Sequence, residues 1–394
     1  MSDISSTTRR RPVRALILLV VLAALAAVPL YLDRSWLVIG ILAMAAAVGA
    51  IGLTILVGTA GQLSLAHAFF VACGAYAYAF FAGEPSSSGV SGWGWPSLLA
   101  AIAAIGVASL AGLAFSPVAA RVRGLYLGVA SLGLVFIGQH LLRNLVSVTG
   151  GSNGRSVPPL EIFGVELTGT DPDVQLLGVP LGAQERLWYV LLVALLIAVC
   201  IAGGIVRRRP GRAFTLVRDN EAAASALGIH VQRSKATAFV LSSAFAGASG
   251  VLTAVAFGYV VPQYFGLVLS INFLVMVIIG GLGSIGGAVA GAFIITGLPL
   301  ILDRWAQGSG VLAAPGSGGY DASTISTIVF GALTVIVIIV EPGGLAQLWR
   351  RVTARLVHRT TRRRHTSGTI STATQQPPIR TESEQQERNQ RVTH

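Results

Sequence analysis

The chain has 394 residues, of which 53% are hydrophobic and only 11% charged, and its net charge is +12. Soluble domains carry about 25% charged residues, so this composition excludes an ordinary water-soluble fold, whose single core has no room for so much apolar surface. The positive balance does not point to nucleic acid, because the arginines flank apolar runs and do not gather into one patch.

No Asp, Glu, Lys or Arg occurs from Ser35 to Gly83, or from Ala236 to Leu302. A spanning helix takes roughly 20 residues, so each of these stretches folds back at least once. In chain order, ten apolar segments are predicted: residues 15–32, 36–57, 63–82, 97–118, 125–142, 187–206, 236–257, 267–280, 286–302 and 324–340. The eighth and ninth are short for full crossings, as expected of tilted or broken helices covered by protein. The arm 1–14 carries Arg9, Arg10, Arg11 and Arg14 and belongs in the cytoplasm. Ten crossings then place 58–62, 119–124, 207–235, 281–285 and the chain after 341 inside. Of the 28 basic residues, only Arg34, Arg143, Arg155, Arg186 and Arg304 fall outside. An odd number of crossings would put one basic terminus on the wrong side. The expected fold is therefore all-α and polytopic, with about ten transmembrane helices and both termini cytoplasmic. The expected organisation is the basic arm 1–14, a membrane domain 15–345 and a basic tail 346–394.

The start also matches a signal peptide, with Ala24-Leu25-Ala26 as a cleavage site. The apolar run continues to Leu32 and a second begins almost at once, which favours an uncleaved first helix. The loop 143–186 carries Thr149-Gly150-Gly151-Ser152-Asn153-Gly154 and Pro158-Pro159, turn chemistry suited to a small cap on the outer face. The tail from about Thr360 is rich in Arg, Thr, Ser and Gln, a composition of disorder; its section 350–364 suits anionic membrane lipid. Cys73 and Cys200 lie inside apolar runs and suggest neither a disulfide framework nor a metal site.

The inner loop 207–235 is the most informative segment. Pro210 and Gly211 break the preceding helix, and Asp219 or Asn220 then caps a new one. Glu221 in the first turn suits the helix dipole, and Gly228 is a fitting stop. The result is a short cytoplasmic helix with small residues on its sides, either a plain linker or a surface that a partner protein can approach closely.

The segments Gly211-Arg212-Ala213, Arg218-Asp219-Asn220-Glu221-Ala222-Ala223 and Ala226-Leu227-Gly228-Ile229 resemble the coupling-helix region of permeases from ATP-binding-cassette importers. The spacing from Glu221 to Gly228 is one residue longer than the general superfamily motif and is similar to that of the branched-chain amino acid branch, the LivM type. Further blocks resemble that branch in the same order: Gly61 to Ala68, Arg123 to Leu127, Thr149 to Gly154 and Gly280 to Ser284. The resemblance covers about residues 40–345 and leaves out the N-terminal arm and the last fifty residues. It implies a subunit that pairs with a second, homologous permease and receives solute from an extracytoplasmic binding protein. It also implies two ATPases that dock on the inner loops, with Arg212, Arg218, Asp219, Asn220, Glu221, Ala222, Ala223 and Gly228 as the coupling residues. ATP is then used by the partners, and no cofactor, metal or catalytic residue is expected in this chain.

The residues agree with a permease and not a motor. A phosphate-binding loop needs Lys beside its glycines, and the chain's only lysine, Lys235, has no glycine-rich loop before it. Gly281-Leu282-Gly283-Ser284-Ile285-Gly286 is a literal G-x-G-x-x-G, but its flanks are apolar and Asp303 falls on the opposite side of the bilayer. These glycines are expected to form a tight inner turn.

Polar groups within spans are costly in lipid and so are candidates for the solute path, or else for bonding between helices. They are Gln62, Ser64 and His67, with Ser64 and His67 three apart and expected on one helix face; Gln139 beside His140; and Ser270 with Asn272. Branched-chain amino acids are the expected solutes, with urea, short amides or another small polar solute as the alternative. A proton-coupled transporter usually needs an intramembrane carboxylate, and no predicted span holds one. A membrane-embedded enzyme would need a metal cluster, paired carboxylates or a nucleophile with its base.

Overall fold

The computed structural model describes residues 23–308, except 85–89, 123 and parts of 163–181, together with scattered positions between 328 and 347. The chain divides into a unit Met1–Leu348 and a unit Trp349–His394. All elements below belong to the first. The predicted tail, the arm 1–14 and most of the tenth segment lie outside the described residues.

Residues 23–31 are helical. Helix α1 covers Arg34–Leu53 and runs into a π-helical turn, Thr54–Thr59. After it come α2 (His67–Ala82), α3 (Ser97–Arg121), α4 (Leu125–Asn144) and the single turn α5 (Val146–Thr149). Then follow α6 (Ala183–Arg207), α7 (Arg209–Asp219), α8 (Glu221–Ala226), α9 (Val231–Phe257), α10 (Leu267–Gly280) and α11 (Ile285–Gly308). Six of the helices are long and apolar enough to cross a membrane, and α2 and α10 are apolar but shorter. The all-α, polytopic reading of the sequence thus describes the molecule.

The short helices have a geometric explanation. The 16 residues of α2 rise about 24 Å at 1.5 Å each, short of a hydrocarbon core about 30 Å thick. The stretch 61–66 before it is not helical and supplies the missing depth. The 14 residues of α10 are likewise preceded by a strand, Tyr259–Val260, and a 3₁₀ turn, Pro262–Phe265, whose Pro262 and Phe265 are buried.

The loops sort to two ends, as the charge asymmetry requires. At one end Arg218 Nη1 donates to the Gly58 carbonyl at 2.7 Å, and Gln62 Nε2 donates to the Lys235 carbonyl at 3.2 Å. There too, a Cβ on Gly58 would strike the backbone of Gly283. Gly281 (φ 101°) and Gly283 (φ 79°) form the tight turn between α10 and α11. A helix precedes it, not a strand, so the G-x-G-x-x-G pattern has no dinucleotide-binding context. At the opposite end β1 (Arg155–Ser156) pairs antiparallel with Tyr259–Val260. The Arg155 guanidinium donates to the carbonyls of Ser91 at 3.1 Å and Val148 at 2.5 Å, pinning the outer loop to α5.

Helix α9 lies at the centre and packs on α1, α2 and α3 through small residues. A Cβ on Gly74 would meet the backbone of Gly247, and one on Gly250 would meet the backbone of Val71. Helix α3 buries a stripe of Ala100, Ala104, Ala108, Gly112, Ser116 and Ala119. Its other side exposes Leu98, Leu99, Ile102 and Leu110. Between apolar helices in lipid, close backbone approach and cross-helix hydrogen bonds replace the hydrophobic effect. One such bond runs from Ser249 Oγ to the Ala45 carbonyl at 2.7 Å.

Gly250→Val is therefore expected to destabilise the bundle by about 1–3 kcal/mol through overpacking, read as a lower melting temperature in detergent. Gly106→Ala, where an added Cβ meets nothing, serves as the comparison and should melt no lower than the parent. Equal melting of Gly250→Val and the parent would contradict the packing described.

Candidate functional site

The inner loop is built from two helices, not one. Arg208 is extended (φ −92°, ψ −174°) and separates α6 from α7, and Pro210 sits in the first turn of α7, where its missing N–H costs nothing. Asn220 (φ −159°, ψ 109°) breaks the chain again, and its side-chain oxygen accepts from the Ala223 N–H at 3.0 Å. Asn220 is thus the cap, while Asp219 pairs with Arg218 at 2.9 Å on the surface. Gly228 adopts φ 80°, the left-handed stop that its type suggests.

The loop has an outer and an inner side. Arg212, Ala222, Ala223 and Gly228 are exposed, as is Leu227, while Phe214, Val217 and Ala224 are buried beneath. On the inner side Lys235 Nζ meets Glu221 Oε1 at 2.6 Å, with side chains only 7% and 29% exposed. The Lys235 carbonyl takes the Gln62 amide, and Arg218 takes the Gly58 carbonyl. A Cβ on Gly61 would strike the Arg218 side chain. A small polar cavity of about 70 Å³ is lined by Gln62, Arg218, Glu221 and Lys235 together with Ala119 and Gly124. Lys235 is the residue that sequence reasoning missed. Its signal was that a lone lysine opening an apolar helix needs a buried partner, and the nearest acid on the same loop is Glu221.

The stretch 60–66 to which the loop is tied has its own supports. The Leu65 N–H donates to Ser131 Oγ at 2.8 Å, the Ala66 N–H to Ser64 Oγ at 3.3 Å, and the Ala68 N–H to Ser270 Oγ at 3.0 Å. This corrects one expectation. Helix α2 starts at His67, so Ser64 and His67 share no helix face; Ser64 lies in the non-helical stretch and supports its backbone.

The other polar candidates separate. Gln62 faces the inner loop. His67 is buried and packs edge-to-face on Phe273 at 4.7 Å, and its Nε2 has no hydrogen-bond partner among the described residues. Ser270 lies one turn from Phe273 and bonds the start of α2. Asn272 lines an apolar cavity of about 330 Å³ on the outer side of Phe273. Gln139 stands apart, at the outer end of α4 beside Gly266. Among the described residues no cluster of His, Cys, Asp or Glu is arranged to hold a metal ion.

A family model for the permease component of branched-chain amino acid transport systems matches residues 35–338. The chain is 32% identical over 345 residues, 85% of its length and 75% of the relative's, to the high-affinity branched-chain amino acid transport system permease protein LivM of Escherichia coli K12. It is 28% identical over 298 residues, 75% of its length and 89% of the relative's, to the permease protein LivH of the same organism. A shorter match, 34% over 116 residues and 27% of this chain, is to the autoinducer 2 import system permease protein LsrC of Klebsiella pneumoniae, of which it covers 33%. No solved structure matches.

Breaking a buried ion pair by removing one partner leaves an uncompensated charge, at a cost of about 3 kcal/mol or more. Lys235 is the buried member, so Glu221→Ala is expected to loosen the loop by about that amount; Lys235→Ala, which leaves the partly exposed Glu221 carboxylate, is expected to cost less, and the double variant less than the sum. Hydrogen exchange of the 209–228 amides measures this; additive losses would show that the two side chains do not act as a pair.

Proposed function

The chain belongs to the permease-component family of branched-chain amino acid transport systems, and from that premise we propose that it carries leucine, isoleucine and valine inward by alternating access. Membership makes it a multi-pass protein of the prokaryotic inner membrane, a permease of an ATP-binding-cassette importer that works with other subunits and is not itself an enzyme. The finer assignments are ours. The partners are a second homologous permease, two ATPases and an extracytoplasmic binding protein. ATP is bound and split on the ATPases, and this chain holds no cofactor.

One observation supports the reading most directly. The inner loop presents small exposed residues outward, while the Glu221–Lys235 pair fastens it to the start of α9 and the Arg218–Gly58 and Gln62–Lys235 carbonyl bonds tie it to the chain just before α2. A loop so attached cannot shift without moving residues 58–66. Closure of the ATPases on ATP would pull on Ala222, Ala223 and their neighbours. The displacement passes through Glu221 and Arg218 to Gln62 and Gly58, and so to His67 and Ser270 at the α2–α10 contact. In this scheme Arg212, Asp219, Asn220 and Gly228 shape the docking surface, and Gln62, Ser64, His67, Gln139, Ser270 and Asn272 are the path candidates.

A small zwitterion needs only backbone dipoles and a few neutral polar groups, which suits spans without carboxylates. The second reading is a permease of the same family for another small polar solute, such as urea or a short amide. Similarity to the permease protein of an autoinducer 2 import system shows that relatives of this chain are not confined to amino acids.

The test is ATP-driven uptake of radiolabelled leucine into proteoliposomes holding this chain, its partner permease, the ATPases and the binding protein. Arg218→Ala combined with Glu221→Ala is expected to lower uptake at least tenfold at equal complex content. A complex that hydrolyses ATP in response to its loaded binding protein yet moves no leucine, isoleucine or valine would overturn the solute assignment and leave the architecture standing.

A further inference from the structure

Between α1, α2, α9, α10 and α11 lies a cavity of about 330 Å³ that none of the coupling contacts uses. Its mouth is at the outer end, where Phe257 and Tyr264 are 52% and 54% exposed and their rings lie 5.7 Å apart. Its floor is Phe273, whose ring fills a notch left by Gly49 and touches His67 on the far side. The walls are aliphatic and aromatic, broken by the polar side chains Thr253, Asn272 and Thr296, with the Tyr264 ring and its hydroxyl at the mouth. The Thr296 hydroxyl has no hydrogen-bond partner among the described residues. Among the described residues no carboxylate, amine, guanidinium or imidazole lines it.

We propose that this cavity receives the aliphatic side chain of the transported amino acid, so that this subunit by itself supplies a solute subsite on the outer side of Phe273. The assignment rests on the reading of the chain as a branched-chain amino acid permease and adds where the solute sits. Small-molecule sites are mostly apolar with a few placed polar groups and begin at about 300 Å³; this cavity is at the small end, fit for one four-carbon branch and its backbone. A solute without an apolar part, such as urea, would gain nothing from these walls and would lose its hydration. Hydroxyls and an amide both donate and accept, so Thr253, Asn272 and Thr296 serve an ammonium and a carboxylate alike without adding net charge. The charged end stays toward the wet mouth, and the branch points at Phe273. Beyond that ring lies His67, and beyond His67 the stretch 60–66 held by the coupling loop. Movement of that stretch therefore reaches the floor of the subsite through the His67–Phe273 contact.

Ala46 lines the cavity, and enlarging it narrows the space without touching the mouth. The experiment compares leucine and valine uptake rates by the complete reconstituted importer, at saturating binding protein loaded with either amino acid. Ala46→Leu is expected to lower the leucine-to-valine rate ratio at least tenfold, and the smaller Ala46→Val about threefold in the same direction. A ratio is insensitive to the amount of folded complex, and Ala46→Val covers the case in which Ala46→Leu fails to assemble. A ratio within twofold of the parent in a variant that still transports would overturn the subsite, the result expected if a lipid acyl chain fills the cavity instead. A parent importer that moves no branched-chain amino acid would overturn the functional reading beneath it, and the subsite with it.

Discussion

A bilayer offers no hydrogen bonds, so every backbone amide and carbonyl at membrane depth needs a partner within the protein. That constraint bears hardest on residues 60–66, where the chain leaves helical geometry between two spans. The stretch is held because Ser131 of α4 accepts from its Leu65 amide and Ser64 bonds locally, while at its two ends Arg218 covers the Gly58 carbonyl and Ser270 of α10 accepts from the Ala68 amide. Those bonds fix where α2 can start, where α4 and α10 stand beside it, and how closely the inner loop approaches. The unwound stretch is in this sense the hub of the bundle: helices on one side, the coupling loop on the other, and the floor of the outer cavity one ring contact away.

The Glu221–Lys235 pair belongs to the same logic. A charge held 7% exposed at a membrane boundary is costly alone and acceptable when paired. Pairing makes the geometry strict, because a compact ammonium 2.6 Å from a carboxylate leaves little freedom. Strictness is what a transmitted motion requires. A loop anchored only by apolar contacts such as Phe214 and Val217 could slide; one also anchored by an ion pair and a guanidinium–carbonyl bond carries its displacement into the span.

Much of this was legible in the sequence. Charge-free runs marked the helices, and the placement of arginine sorted the loops into two sets that the structure gathers at opposite ends, because lipid acts on composition directly. The cap at Asn220 and the stop at Gly228 were visible because they are local hydrogen-bond and φ requirements. The start of α2 was not. Nothing at Ala66 or His67 announces a cap, and the partners that hold the chain out of helical geometry as far as Ala66 lie far away in sequence, Ser131 at Leu65 and Ser270 at Ala68. For the same reason Ser64 looked like a helix-face residue when it is a backbone support, and Lys235 looked inert until Glu221 was seen beside it. The grouping of Thr253, Asn272 and Thr296 around one cavity likewise needs three helices in place before it exists.

The solitary status of Lys235 has a practical side. Apart from any free α-amino group, the folded chain offers amine-reactive reagents one target, and that target is held in an ion pair beneath the coupling loop. Reaction with an amine label, or cleavage by a protease that cuts after lysine alone, becomes a clock for the opening of that pair. The molecule thus carries a single-site chemical reporter at the junction between loop and span, with no engineering needed to install it.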